Sequence, residues 1–417
     1  MKANHSLPSR VIHWLASPRL LFWLLPVMMI WLIAGTVAQA YMSLHDALET
    51  YFKGWLIWID LPFIAIPFPG AYPILGLFTL SLCARFVAKT DWRFEKLGLN
   101  LAHFGVLLLL IGGFVTAQLS KEGYMLIPEG QRLGFVSDYH KRVVVVFQGN
   151  KAVAEFEKSQ LLSDEQIAKP VSGLPFDLVP LSGCRNCSIV ERKPADAATA
   201  FLIMPEHNER AAAKKEAQEM LRDNPKRSMA RFMALDPAEP EMEDEANIAG
   251  LTLLIRNADA GSGAVEDGAN QNGVYVAFEG MPAPIEVRHE GLLYHILLGK
   301  AQRPLPFSLE LTDFEKTLYP GLDMASGYAS DLVIHDGDLR WPARIEMNEP
   351  LRYRGYTFYQ SAFEEDEAGT QATILAVVEN KGRLFPYIAT AVIALGLLLH
   401  IFLMRGRSVR RRRERGA

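Results

Sequence analysis

Four apolar runs constrain this chain more than any other feature. Residues 20–41, 71–88, 97–119 and 384–404 are each close to the ~20 residues an α-helix needs to cross a bilayer. A segment in hydrocarbon must satisfy its own backbone polar groups, so each run is predicted to be a spanning helix. The chain has 417 residues, half of them hydrophobic, with a mean hydropathy of +0.08. That value is too high for an ordinary soluble enzyme and too low for a bare helical bundle. The predicted fold class is an integral membrane α-helical protein with four spans and a large exported β-rich domain between spans three and four.

The short-loop cations set the expected orientation. Lys2, Arg10 and Arg19 precede the first span, and Arg85, Lys89, Arg93 and Lys96 surround the link between the second and third. The last span runs into Arg405, Arg407, Arg410, Arg411, Arg412, Arg413 and Arg415. These segments, 1–19, 89–96 and 405–417, are assigned to the cytoplasm. Residues 42–70, whose only such cation is Lys53, and residues 120–383 are assigned to the exterior, the periplasmic side of a bacterial inner membrane. The basic tail directly follows a spanning helix, so its expected partner is anionic lipid headgroups, with no nucleic acid. Ala38-Gln39-Ala40 resembles a signal-peptide cleavage site, but the length of the first segment favours an uncleaved anchor.

The exterior link 42–70 carries Trp55, Trp58, Phe63, Phe68 and several prolines, a composition for the membrane interface. Beyond Gly123 the pattern changes to short β-branched or alternating runs, at 141–147, 251–256, 274–278 and 373–378, which are predicted strands. Residues 257–273 are rich in Gly, Asp and Asn and are predicted to form a hairpin loop. A helical insertion is expected near 206–235, followed by an acidic linker over 236–247.

Several stretches then resemble the ResB family, the CcsB-type membrane component of cytochrome c synthesis. They are GYMLIPEGQ at 123–131, LPFSLELTDFEKTLYPG at 305–321, SGYASDLVIHDG at 326–337 and IEMNEPLRYRGYTFYQSAF at 345–363. The most specific elements are Asn-Glu-Pro-Leu, with Asn348 and Pro350, and Tyr-Thr-Phe-Tyr-Gln, with Tyr359 and Gln360. The resemblance implies three early spans, an exported β-rich domain and a closing span. It also implies transient handling of b-type haem and its covalent attachment to apocytochrome c. A CcsA-type membrane partner would be needed, making this chain a non-catalytic or co-catalytic subunit of a haem lyase.

His103 is the first candidate site residue. An ionisable group inside a span tends to face a bundle interior, a cavity or a cofactor, and haem iron accepts neutral imidazole nitrogen. The resemblance assigns His103 as an axial haem ligand; bonding to a neighbouring helix carbonyl is the plain structural alternative. His400, five residues before Arg405, is a candidate second ligand at a similar expected depth, or a snorkelling polar group. Gly105 and Gly112 lie on the helix face opposite His103, where they can admit a close neighbour.

The pair Cys184 and Cys187 is followed by Ser188 rather than histidine, so it is not a haem attachment sequence. A structural disulfide, a redox pair served by a thioredoxin-like reductant, and half a metal site are all open readings. Cys83, within the second span, is expected to be a packing residue. His140, His207, His289, His295 and His335 show no ligand spacing. The rival functions are a b-type haem electron-transfer subunit using His103 and His400, and a haem-free assembly scaffold.

Overall fold

The structure, a computed structural model, describes residues 7–61, 64–163, 165–191, 213, 215–220, 233–258, 272–319, 321, 325–365 and 369–415. The chain divides into two compact units, one of residues 1–122, 352–358 and 378–417, the other of residues 123–351 and 359–377.

Among the described residues of the first unit, four helices are long and apolar enough to cross a membrane: Pro18–Ala38, Ala71–Lys89, Phe94–Leu119 and Phe385–Arg405. They coincide with the four apolar runs to within a few residues. Proline opens the first of them, where its missing N–H costs no helical hydrogen bond. The last helix continues through the arginine tail to Arg415, since arginine is a good helix former. Residues 42–70 contain an element that composition did not reveal. Strand β1 (Leu56–Leu61) pairs antiparallel with β2 (Ile64–Pro69). Trp31 of the first long helix stacks on Phe68 at 5.1 Å and donates its indole N–H to the Tyr51 carbonyl at 2.8 Å. Burial of an indole ring with its donor satisfied anchors the hairpin to that helix.

The third and fourth long helices pack antiparallel through small residues. A Cβ added at Gly98 would lie 2.3 Å from the His400 amide nitrogen, and one at Gly396 would lie 2.5 Å from that of Ala102. At Gly105 it would meet the Ile393 nitrogen at 2.9 Å, and at Gly112 the Phe385 side chain at 2.3 Å. The backbones therefore touch along a stripe of Gly98, Ala102, Gly105 and Gly112, all buried. Close backbone approach is the main source of helix association where lipid is as apolar as the side chains.

The second unit is a β structure. Its larger sheet runs β14-β13-β12-β4-β3-β17-β16, with β11 on β12 and β5 on β4. The ranges are β3 Lys121–Pro128, β4 Arg132–Gln148, β5 Lys151–Glu157, β11 Ile285–His289, β12 Leu292–Leu318, β13 Ala325–Asp336, β14 Leu339–Glu346, β16 Tyr356–Glu365 and β17 Gln371–Glu379. A smaller antiparallel sheet has the order β10-β9-β6, from Gly273–Phe278, Gly250–Arg256 and Asp177–Cys184. Strands β7 (Cys187–Glu191) and β8 (Met233–Pro237) form a separate pair.

The smaller sheet is buried on both faces. Leu178, Leu251, Leu253 and Ile255 pack with Val144, Val146, Val287 and Ile296 of the larger sheet. Val179, Leu181, Leu254, Val274 and Val276 face the other way and pack with Ala213 and Ala217. Double coverage explains why 250–255 is buried without a break instead of alternating. Residues 215–220 are helical, and the rest of the expected insertion near 206–235, apart from Ala213 and β8, lies outside the described residues. The hairpin expected around 257–273 is present as the β9–β10 pairing, although residues 259–271 lie outside the description. The acidic stretch 236–247 is not a plain linker. Its Asp244 side chain is 5% exposed and is the centre of an ionic cluster.

The helix pairing makes a testable distinction between glycines. Gly98→Ala is expected to destabilise the protein by about 1–3 kcal/mol, because the contacting atoms are backbone and cannot yield. Gly113, with nothing within 4 Å of its would-be Cβ, should accept alanine with a change within about 0.5 kcal/mol. Thermal melts of the two variants in detergent check this.

Candidate functional sites: a helix histidine, a disulfide loop and the C-terminal strand motif

His103 sits on the third long helix roughly 140° around from Gly98, away from the glycine stripe. Its side chain is exposed on the protein surface, and its Nδ1 lies 2.8 Å from the Leu99 carbonyl one turn earlier. A carbonyl oxygen only accepts, so Nδ1 carries the proton and donates it. In that tautomer Nε2 carries the lone pair. This is the arrangement found in iron-ligating histidines, where a hydrogen bond at one nitrogen fixes the tautomer and orients the other. The bond is thus to the helix's own Leu99 carbonyl and not to a neighbouring helix, and it leaves Nε2 unused. Val106 and Phe114 are exposed on the same helix and give the ring an apolar flank.

His400 is placed differently from the expectation. Its backbone abuts Gly98, while Gly396 lies against Ala102. His103 is five residues past Gly98, so it stands about 7 Å farther along the pair than His400. The two histidines occupy different levels and different faces, and the structure does not bring them together. The sequence estimate counted from flanking arginine and lysine, and the glycine register overrides that count. The His400 Nδ1 is buried and has no hydrogen-bond partner among the described residues.

Cys184 and Cys187 form a disulfide with Cα atoms 5.7 Å apart. Cys184 ends β6 and is partly exposed, whereas Cys187 begins β7 and is 3% exposed. Among the described residues no group of three His, Cys, Asp or Glu is arranged to hold a metal ion, so the half-metal-site reading finds no completing ligands there. Arg185, between the cysteines, donates from Nε and Nη2 to one Asp244 oxygen at 3.0 and 2.9 Å. Asp244 also accepts from Arg142 Nη1 at 2.7 Å and from His140 Nδ1 at 2.9 Å. Burial alone would raise the Asp244 carboxyl, but the hydrogen bonds from His140, Arg142 and Arg185 outweigh it and hold the group well below the usual carboxylate range. Sequence reading missed this centre, since its members are distant in the chain and each resembles an ordinary surface charge.

Lys158 completes the neighbourhood. It is buried, and its ammonium donates to the Cys184 carbonyl. Burial first, then the nearby Arg142 charge, lowers its pKa from 10.5 to about 8.

The C-terminal motif residues are explained by folding. Asn348 has a φ of 70° in the turn after β14, where Glu346 and Glu349 bridge backbone to backbone. Asparagine tolerates that left-handed region better than most residues. Pro350 follows, half-buried, just ahead of β15 (Leu351–Tyr353). Gln360 on β16 is a clamp: Ser330 Oγ of β13 donates to its Oε1 at 2.6 Å, and its Nε2 donates to Thr373 Oγ1 of β17 at 3.0 Å and to the Ala362 carbonyl at 3.0 Å. Ser330 and Thr373 are fully buried, so this network satisfies polar groups that would otherwise be costly. Tyr359, its neighbour on the opposite strand face, is 43% exposed. Phe363 stacks on Phe314 at 5.5 Å and lies tilted against Tyr328 at 5.1 Å, a strand-face aromatic cluster. Among the other histidines, His335 bonds Glu310 at 2.5 Å and His289 donates to the Asn257 carbonyl; His207 lies outside the described residues.

A unit of spanning-length helices and a β-sheet unit closed by this strand motif describe a membrane protein with a large β-rich domain. Residues 290–386, which hold Asn348, Pro350, Tyr359 and Gln360, match the model of the ResB-like family. The chain is also similar to "Protein NrfI" of Wolinella succinogenes, with 35% identity over 114 residues. The matched stretch covers 27% of this chain and 12% of that protein. The stretches at 305–321, 326–337 and 345–363 lie inside the family match, whereas 123–131 and His103 lie outside it.

Two outcomes test this description. Asn348→Gly should leave stability nearly unchanged, while Asn348→Val should cost about 1–2 kcal/mol through the strained backbone, as chemical denaturation of the full chain would measure. Lys158 binds its proton less well folded than unfolded, so stability should rise as pH climbs from about 8 towards 10.5. Lys158→Met should flatten that rise and raise the melting midpoint near neutral pH.

Proposed function

We propose that this chain is a membrane subunit of a cytochrome c haem-attachment system, acting with a CcsA-type partner to present haem to apocytochrome c. The observation that carries the reading is the ResB-like match over 290–386, in a chain that also has four helices of membrane-spanning length. In this reading the β-rich unit is exported to the periplasmic side of a bacterial inner membrane, and both termini are cytoplasmic. The segregation of lysine and arginine supports that orientation.

Bound transiently, b-type haem supplies the vinyl groups to which cysteine thiols are joined. The chain's own contribution begins with His103. The Leu99 carbonyl fixes its protonated nitrogen, and Nε2 is left as the electron-pair donor. The glycine stripe seats the opposite face of the same helix on the fourth long helix, which holds the ring in one direction. His103 would hold the haem iron from this chain, and any further ligand would come from the CcsA-type partner. The β-rich unit is assigned to holding the partner or the apocytochrome. Permanent haem between His103 and His400 of this chain gains no support from the helix register.

The test is the haem spectrum of the purified protein, with and without the partner, for wild type, His103→Ala and His400→Ala. Haem present only with the partner, lost in His103→Ala and kept in His400→Ala, is the expected result. Stable haem without the partner, lost in both variants, would replace the proposal with the electron carrier. No haem in any preparation would replace it with a scaffold.

A further inference from the structure

We propose that Cys184 and Cys187 form a thiol–disulfide exchange site for peptide disulfides, with Cys184 as the attacking thiol and Cys187 as the resolving one. This goes beyond the haem reading and does not depend on it.

The first support is the unequal exposure of the two sulfur residues. Cys184 is partly exposed at the end of β6, next to exposed Gly183, while Cys187 is 3% exposed. An external disulfide can reach the first residue and not the second. Exchange needs this asymmetry, because one thiol must meet the substrate while the other waits to release it.

The second support is that the loop does not depend on its cross-link. The bond joins residues only three apart, and the entropic gain from a cross-link is smallest for so short a loop. Other contacts hold the same backbone. Arg185 is gripped twice by buried Asp244. Asn186 donates to the Glu239 carbonyl at 2.9 Å and accepts from the Ile248 amide at 3.2 Å. The Cys187 amide donates to the Ile248 carbonyl at 2.9 Å, and Cys184 pairs with Gly250 in the β6–β9 ladder. With the S–S bond open, the two thiols would therefore stay within reach of each other.

The third support is the tailoring around the sulfurs. A Cβ at Gly250 would lie 2.5 Å from Cys187 Sγ, so the chain keeps its smallest residue where the buried sulfur rests. Lys158 donates to the Cys184 carbonyl, which places a cation at the backbone of the exposed residue, and a cation near a cysteine favours its thiolate. With its pKa brought down to about 8, that ammonium can also exchange a proton near neutral pH.

The step balances as follows. The Cys184 thiolate attacks one sulfur of a peptide disulfide, the peptide S–S bond breaks, and the departing peptide thiolate takes a proton. A mixed disulfide joins Cys184 to the peptide. Cys187 then loses its proton and attacks Cys184 Sγ, which forms the Cys184–Cys187 bond and releases the second peptide thiol. Two electrons have passed from the pair to the peptide. A dithiol protein of the thioredoxin class restores the reduced pair by the reverse exchange.

The experiment uses the full chain in lipid nanodiscs with Cys83→Ala, which removes the free cysteine. A synthetic peptide with an internal Cys-x-x-Cys disulfide is the probe. Cys187→Ser should trap the peptide on Cys184, seen by mass spectrometry, and Cys184→Ser should trap none. In the unvaried pair, a glutathione buffer should open and re-form the bond with the circular dichroism spectrum unchanged. Adding His103→Ala should leave both results intact, so a failure of the haem reading is told apart from a failure here. No adduct on folded Cys187→Ser, or a bond that glutathione cannot open, or loss of structure on opening, would each overturn the proposal.

Discussion

The contact between the third and fourth long helices governs the membrane unit. Gly98, Gly105 and Gly112 on one side and Gly396 on the other bring two backbones together, with no room for a Cβ. In a bilayer there is little hydrophobic gain from pairing two apolar helices, so close packing has to supply the attraction. The same contact settles which way His103 points. With the glycine face committed to a neighbour, the imidazole is turned out of the pair, and its bond to the Leu99 carbonyl settles which nitrogen is offered.

The β-rich unit is organised by a different constraint. A three-stranded sheet with apolar residues on both faces has to be covered twice, by the larger sheet and by the segment containing Ala213 and Ala217. Where β6 leaves this sheet, the chain turns through the disulfide, and the turn is held by Asp244 and its three cationic or hydrogen-bonding partners. Removing one partner of such a buried set leaves uncompensated charge, so the cluster ties β4, the disulfide loop and residues 244–247 into one geometry. The ResB-like strand motif is also structural. Its asparagine serves a turn, and its glutamine joins β13, β16 and β17 through buried hydroxyls.

Much of this was legible in the chain itself. The long apolar runs gave helix positions because a bilayer leaves few alternatives for twenty apolar residues. The strands at 141–147, 251–256, 274–278 and 373–378 followed from β-branched runs between turn residues. The hairpin at 56–69 was not legible, since prolines and tryptophans masked its alternation. The ionic role of Asp244 was hidden in an acidic stretch that resembles a solvated linker.

Sequence alone determined the number and place of the spanning-length helices, the β character of the domain, the ResB-like resemblance and the candidacy of His103. These depend on local pattern and composition, which act within a few residues. Only the tertiary structure decided that His103 and His400 stand on different levels, that the cysteines are joined and unequally exposed, that Asp244 is buried among distant partners, and that Gln360 joins distant buried hydroxyls. Those outcomes depend on helix register and strand pairing, where a shift of a few residues changes which side chains meet, and no local pattern records that choice.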